Sequence, residues 1–291
     1  MKGIIRDWVK KVGYDIVRVD DGFDVALYRR TYPEESIKAR RFYNIGAGSF
    51  RHPCWTNIDN RSDWYGNVFG VDSNGIEYDL LSGEPIPVAD GSAELVYTSH
   101  TIEHLDDACV QHLFNESYRI LKPGGTFRII CPDIDLEYAA WKNNDREFFF
   151  WYNDPTNNEN LDAKMLAKPF KDASVTQLFL EEFATHTSEL VLDGSEPRIS
   201  DVEFHRIFDE MPYEDALDHC VSRCPLELQR KYPFRHMNWF NEKKVTRMVQ
   251  QSGFNDVYPS RYRQSKVAVL RNHRFFDNTL PMLSLYMEAV K

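Results

Sequence analysis

The sequence predicts an α/β protein built on a mostly parallel sheet, and three observations carry that prediction. Short apolar runs rich in β-type residues end at glycine, aspartate or proline; helical periodicity fills the gap between two of them; and a Gly46-Ala47-Gly48 turn follows an early run. Strand, loop, helix and strand in alternation need crossover connections, which lay helices on the faces of a parallel sheet.

Taken in order, residues 3–12 have amphipathic helical spacing and Tyr14–Val19 alternate like a strand, within a lead-in over residues 1–40. RFYNI (41–45) is a strand ending at the glycines. Trp55–Ile58 is another, closed by Asp59 and Asn60; Glu94–Thr98 and Thr126–Cys131 follow, the latter closed by Pro132. Between these last two, residues 107–121 put Val110, Leu113, Phe114, Ser117, Ile120 and Leu121 at helical spacing, and Pro123-Gly124-Gly125 stops the helix. These elements form a core over 41–136. Residues 137–235 change character: rich in aromatics and acids, they read as helices and loops inserted into the sheet. Over 236–291 the core is completed by a helix (241–252), a strand (254–258) and a last apolar run (283–290).

The totals exclude several function classes. With 291 residues, 42% of them hydrophobic, the chain can bury one large core. A net charge of -10 repels phosphate backbones, so no nucleic-acid partner is expected. No run of about 18 apolar residues exists to span a membrane. The start, MKGIIRDWVKKVGYDIVRVDD, breaks each apolar stretch with charge and lacks a cleavage site, which argues against a secretory signal and for the cytoplasm. The odd number of cysteines, five, fits free thiols in a reducing compartment. Cys220 and Cys224 lie four apart without a second pair, so no metal site is expected there.

A strand ending in GxG frees backbone N–H groups at the carboxyl edge of a sheet. A dinucleotide loop wants a third glycine, where Arg51 stands here, and an acid about 20 residues on; Asp59 follows Gly48 by only 11. Both departures disfavour NAD. An acid ending the next strand still suits a ribose, since a carboxylate accepts from both hydroxyls. Asp79, before Leu80-Leu81, could accept from an exocyclic amine beside an adenine ring, or be a solvated loop residue.

The series YNIGAGSF, TNIDN, YDLLSGEPIPVADGSAELVYTSHTIEHL and ESYRILKPGGTFRIICPD closely resembles class I S-adenosylmethionine (SAM)-dependent methyltransferases. It looks most like the bacterial branch associated with glycan and surface-polysaccharide biosynthesis. The likeness is dense over 41–136 and resumes at HMNWFNEKKVTRMVQQSGFNDV and SLYMEAVK. It implies a Rossmann-like sheet with an antiparallel last strand and a helical insertion acting as a lid. It implies SAM as cofactor, with Gly46, Ala47 and Gly48 facing the methionine portion, Asp59 the ribose, Asp79 and Leu80 the adenine, and Ser99 and His100 near the sulfonium. Ile45 and Asn60 belong to the same cofactor-binding set. Asn44 replaces the acid usual at the start of the first motif, and the short step from Gly48 to Asp59 implies a truncated first helix.

An alcohol acceptor must lose a proton, and imidazole titrates near neutrality. His100, His104 and Asp133 are therefore the candidate catalytic residues. His104 could equally pack against the next helix, and Asp133 could initiate a turn. Asp133 and Asp135 are spaced as in many turns, so no metal is expected. The insertion is the expected acceptor pocket: Trp141 and the run Phe148–Tyr152 could stack on a sugar, though core packing or a homo-oligomer contact is the more ordinary use. Arg206 and His236, with His205 and Arg235, could recognise a phosphate or carboxylate on a small-molecule or glycan acceptor. The expected activity is O-methylation of a sugar or surface-glycan precursor. The alternatives are a small-metabolite or amino-sugar N-methyltransferase and a non-catalytic SAM-binding regulator.

Overall fold

The computed structural model describes residues 24–60, 74–153, 172–191 and 198–291; the expected helix at 3–12 and strand at Tyr14–Val19 lie outside them. Seven strands form one sheet: β1 (Phe42–Ile45), β2 (Trp55–Asp59), β3 (Ile76–Glu77), β4 (Ala93–Ser99), β5 (Leu121–Pro132), β6 (Asp256–Pro259) and β7 (Ser284–Val290). Their spatial order is β3-β2-β1-β4-β5-β7-β6. The first five run parallel, whereas β7 is antiparallel to both β5 and β6. This is the Rossmann-like class I methyltransferase sheet with an antiparallel last strand. The order reverses between β1 and β4, which opens a crevice at their carboxyl ends.

Alternation sorts the strand side chains between two cores. Tyr43, Ile45, Val96 and Ile129 face one cluster with helix α3 (Asp107–Ile120) and helix α9 (Glu242–Gln251). Phe42, Leu95, Tyr97 and Ile130 face the other, with Trp55, Phe276 and Tyr28 of helix α1 (Val25–Thr31); α2 (Glu34–Lys38) follows α1. The caps of the two long helices are legible. Asp106 accepts from Cys109 N and Asn241 from Lys244 N.

The helix ends at Ile120, just before Pro123-Gly124-Gly125, and that stretch lies inside the next strand. It forms an irregularity inside β5, which pairs Leu121 with Ala93, then resumes with Thr126 opposite Leu95. Gly124 takes φ 78° there.

The described residues between β5 and α9 are mostly helical: α4 (Ile134–Lys142), α5 (Val175–Phe183), α6 (Asp201–Glu210), α7 (Tyr213–Val221) and α8 (Leu226–Lys231). These helices bury a third cluster that includes Trp141, Phe149, Trp151, Phe179 and Phe204. All five cysteines are free, and Cys220 and Cys224 are buried. Among the described residues no helix is long and apolar enough to cross a membrane.

Candidate functional site

A cavity of about 360 Å³ occupies the crevice at the carboxyl ends of β1, β2 and β4. Its wall contains Gly46, Ala47, Gly48, Asp59, Asn60, Asp79, Leu80, Ser99, His100 and His104. Of the cofactor-binding set, Ile45 alone is missing from the wall. It is fully buried within β1, and its carbonyl accepts from Thr98 Oγ1 at 2.9 Å.

Gly46 has φ 70°, and a Cβ there would meet the Thr101 side chain at 2.3 Å. This glycine is thus required by Thr101 packing over the turn as well as by its left-handed backbone. Gly48 N donates to Asp59 Oδ2 at 2.6 Å and Asn60 N to Asp59 Oδ1 at 2.8 Å. Burial raises the Asp59 carboxyl, opposed by these N–H donors. Each Asp59 oxygen still has a lone pair to offer a hydroxyl. Arg51, in the place of a third glycine, folds back to donate to Gly48 O and Phe50 O at 3.0 and 2.7 Å. No helix forms between β1 and β2.

Asp79 Oδ1 accepts from Leu81 N at 2.9 Å, and its Oδ2 lies 3.5 Å from Arg230 Nη1. Arg230 belongs to α8, whose neighbours Gln229, Pro233 and Phe234 also line the cavity. The end of the helical insertion therefore covers the Asp79 side of the rim. A second cavity shares Gly46, Ala47, Ser49, Ser99 and Thr279 with the first and adds Asn44, Arg51, Arg274, Phe275 and Asn278. Asn44 is buried, and its Oδ1 has no hydrogen-bond partner among the described residues. An orphaned acceptor there fits the ammonium group of a methionine moiety.

His100 sits just past β4 with φ 50°, an uncommon conformation for a residue other than glycine that recurs at functional sites. Its Nε2 is 2.9 Å from Ser284 Oγ on β7, and its Nδ1 is 3.3 Å from Glu103 Oε1. Glu103 and His104 lie on the short 3-10 turn Ile102–His104. Burial alone would raise the Glu103 carboxyl, but the hydrogen bond and charge of His100, with His104 and His236, reverse this and hold it at about 2. Burial lowers His104 to about 4 against the pull of Glu103. At neutral pH the pair is therefore a carboxylate beside a neutral imidazole.

The remaining candidates are dispersed. His236 packs edge-on against His104, ring centroids 4.8 Å apart, although it does not line the cavity. Asp133 stands at the end of β5 as N-cap of α4, accepting from Asp135 N, and is absent from the cavity wall. Asp135 in turn accepts from Tyr213 Oη at 2.9 Å and Asn241 Nδ2 at 3.3 Å, so this pair fastens helices together. Trp141 is buried in the insertion's core, where its Nε1 donates to Thr176 Oγ1 at 3.1 Å. Arg206 is exposed on α6, and neither it nor Trp141 lines the cavity. Their positions follow from helix packing: the aromatic faces of α4–α6 close on one another instead of on the crevice. Sequence reasoning missed Glu103, Thr101, Gln229, Phe234 and Thr279. Only Glu103 carried a signal, as the acid between two histidines in HTIEH.

A family model described as a methyltransferase domain matches residues 58–129, from the end of β2 into β5. No curated protein matches the chain. Solved structures that resemble it include a SAM-dependent methyltransferase from Thermotoga maritima, 14% identical, with 92% of this chain and 88% of that one covered and a TM-score of 0.38. A second, from Archaeoglobus fulgidus, is 12% identical with coverage of 92% and 94% and a TM-score of 0.40. A third, phosphoethanolamine N-methyltransferase 2 of Haemonchus contortus in complex with SAM, is 13% identical with a TM-score of 0.38; 92% of this chain is covered but only 51% of that one. The matched domain spans Asp59, Asp79, Ser99 and His100, and it indicates SAM as the cofactor of a methyltransferase.

Proposed function

We propose that the chain is a SAM-dependent O-methyltransferase acting on a hydroxyl of a sugar or glycan precursor. The observation that supports this reading best is a convergence. Residues from five separate segments, Gly46–Gly48, Asp59, Asp79, Ser99–His100 and His104, meet in one crevice at the point where strand order reverses.

In this reading Asp59 holds the ribose hydroxyls, Asp79 and Leu80 the adenine, and Asn44 Oδ1 the methionine ammonium. Bound there, SAM supplies a methyl group on an already activated sulfonium. The protein then has to align the acceptor oxygen and remove its proton. His100 is the residue we assign to proton removal. It lines the cavity, and its Nδ1 lies 3.3 Å from buried Glu103. The adjoining cavity, with Arg51, Arg274, Asn278 and Phe275, is where we place the acceptor. Polar donors beside an aromatic ring suit a hydroxylated ring or its phosphate.

Two measurements test the proposal. SAM consumption across nucleotide sugars and glycan fragments, read by mass spectrometry, should give a product heavier by one methyl group with at least one of them; turnover of amines alone would move the acceptor to nitrogen. His100→Asn, which tolerates the left-handed backbone, should bind S-adenosylhomocysteine normally yet lose at least a hundredfold in kcat, of the order general-base removal costs. A wild-type rate would take proton removal away from His100.

A further inference from the structure

We infer that Glu103, His104 and His236 form a binding site for a divalent transition-metal ion beside the same cavity, whose wall it joins through His104. One oxygen of Glu103 and one ring nitrogen of each histidine lie within 4.8 Å of one another. The separation between His104 Nε2 and Glu103 Oε1 is 3.9 Å. Small side-chain rotations would bring three such atoms to bonds of about 2.0–2.2 Å around one ion.

Hydrogen bonds to backbone carbonyls already orient the ligands. His104 Nδ1 is 3.0 Å from the Arg235 carbonyl, and His236 Nδ1 is 2.5 Å from the Glu182 carbonyl. A carbonyl only accepts, so both protons sit on Nδ1 and both neutral rings present their lone pair at Nε2. Backbone carbonyls behind metal-bound imidazoles fix ring and tautomer in this way. Glu103 is 1% exposed, and its Oε1 faces the rings of His100 at 3.3 Å and His104 at 3.9 Å. A buried carboxylate so placed is costly unless something positive completes it. His100 Nδ1, at 3.3 Å, approaches Glu103 from the other side and remains available as an outer partner.

The site joins two parts of the chain. Glu103 and His104 follow β4, while His236 lies at the exit of the insertion, held by Met237 N donating to Glu103 O at 2.9 Å and His236 N to Thr185 Oγ1 at 3.0 Å. Two imidazoles and one carboxylate select zinc, cobalt, manganese or iron(II) over magnesium and calcium, which prefer all-oxygen shells. Three protein ligands leave positions open, and His104 is shared with the cavity wall. The catalytic use of the ion rests on the methyl-transfer reading. Held by Glu103, His104 and His236, the ion would supply a Lewis acid at the cavity wall.

The test uses the full chain, stripped of metal with a chelator and titrated with Co²⁺ by absorption and Zn²⁺ by calorimetry. The expected result is one ion per chain, undisturbed by millimolar Mg²⁺, with affinity at least tenfold weaker in Glu103→Gln and in His236→Gln. His236→Ala, with circular dichroism to verify folding, repeats the second arm. No saturable binding, or binding that these variants leave unchanged, overturns the site. S-adenosylhomocysteine binding, measured in the same samples, keeps the two readings apart: retained cofactor binding without metal removes the ion alone.

Discussion

Asp133 shows how a residue that sequence reasoning placed at the chemistry can belong to the architecture. It caps α4 and is largely buried, and burial raises its carboxyl to about 6, against the Asp135 N–H. A carboxyl raised in the folded state contributes stability that is complete below its unfolded value of about 3.9 and lost as pH rises through 6. Asp133→Asn keeps the cap and removes the titration. It should be more stable than wild type at pH 7.5 by about 1–2 kcal/mol, after allowance for partial exposure, with the difference vanishing near pH 4. Urea denaturation at the two pH values reads this directly, and a pH-independent difference would contradict it. Residue identities at the crevice were legible because Gly46, Asp59 and Asp79 stand where strands end. Glu103 was marked only as the acid between two histidines, because HTIEH does not say which of its side chains turns inward. That is decided by Met237 and the insertion packing over it, more than 130 residues along the chain.

Elements were read more securely than their ends. β1, the helix expected over 241–252 and the helical run from Asp107 matched the periodicity, since alternation and helical spacing are local properties. β5 begins at Leu121 instead of Thr126, because a strand with an irregularity at Pro-Gly-Gly and a loop before a strand share the same residues. Between β5 and β7 lies an ion cluster that no local pattern announces. Fully buried Arg128 donates from Nε and Nη2 to both oxygens of Asp277 at 2.9 and 2.5 Å, and from Nη1 to Glu288 Oε1 at 2.8 Å. Removing one partner of such a set strands a buried charge, so Asp277→Ala should cost about 3–5 kcal/mol. Equilibrium denaturation tests it; a change below about 0.5 kcal/mol would mean that Glu288 alone satisfies the guanidinium.

At the scale of the whole molecule, the sheet supplies the crevice and the insertion closes part of it. Of the aromatics for which core packing was the more ordinary expectation, Trp141, Phe149 and Trp151 join Phe179 in the core that lets the insertion fold, while Phe150 is exposed. What the insertion brings to the crevice is smaller: Gln229, Pro233 and Phe234 on the wall, Arg230 against Asp79, and His236 beside His104. Composition could announce an aromatic-rich segment, but the facing of its side chains is set by tertiary packing. The central claim is that this crevice holds the adenosine and methionine parts of one cofactor, with Asp59 as the ribose ligand. Isothermal titration calorimetry with S-adenosylhomocysteine tests it most directly. Wild type should bind one equivalent, and Asp59→Ala, checked for folding, should bind about a hundredfold more weakly, since two hydrogen bonds to a charged acceptor are lost. Equal affinity in the two proteins, or no binding to the folded wild type, would contradict the account.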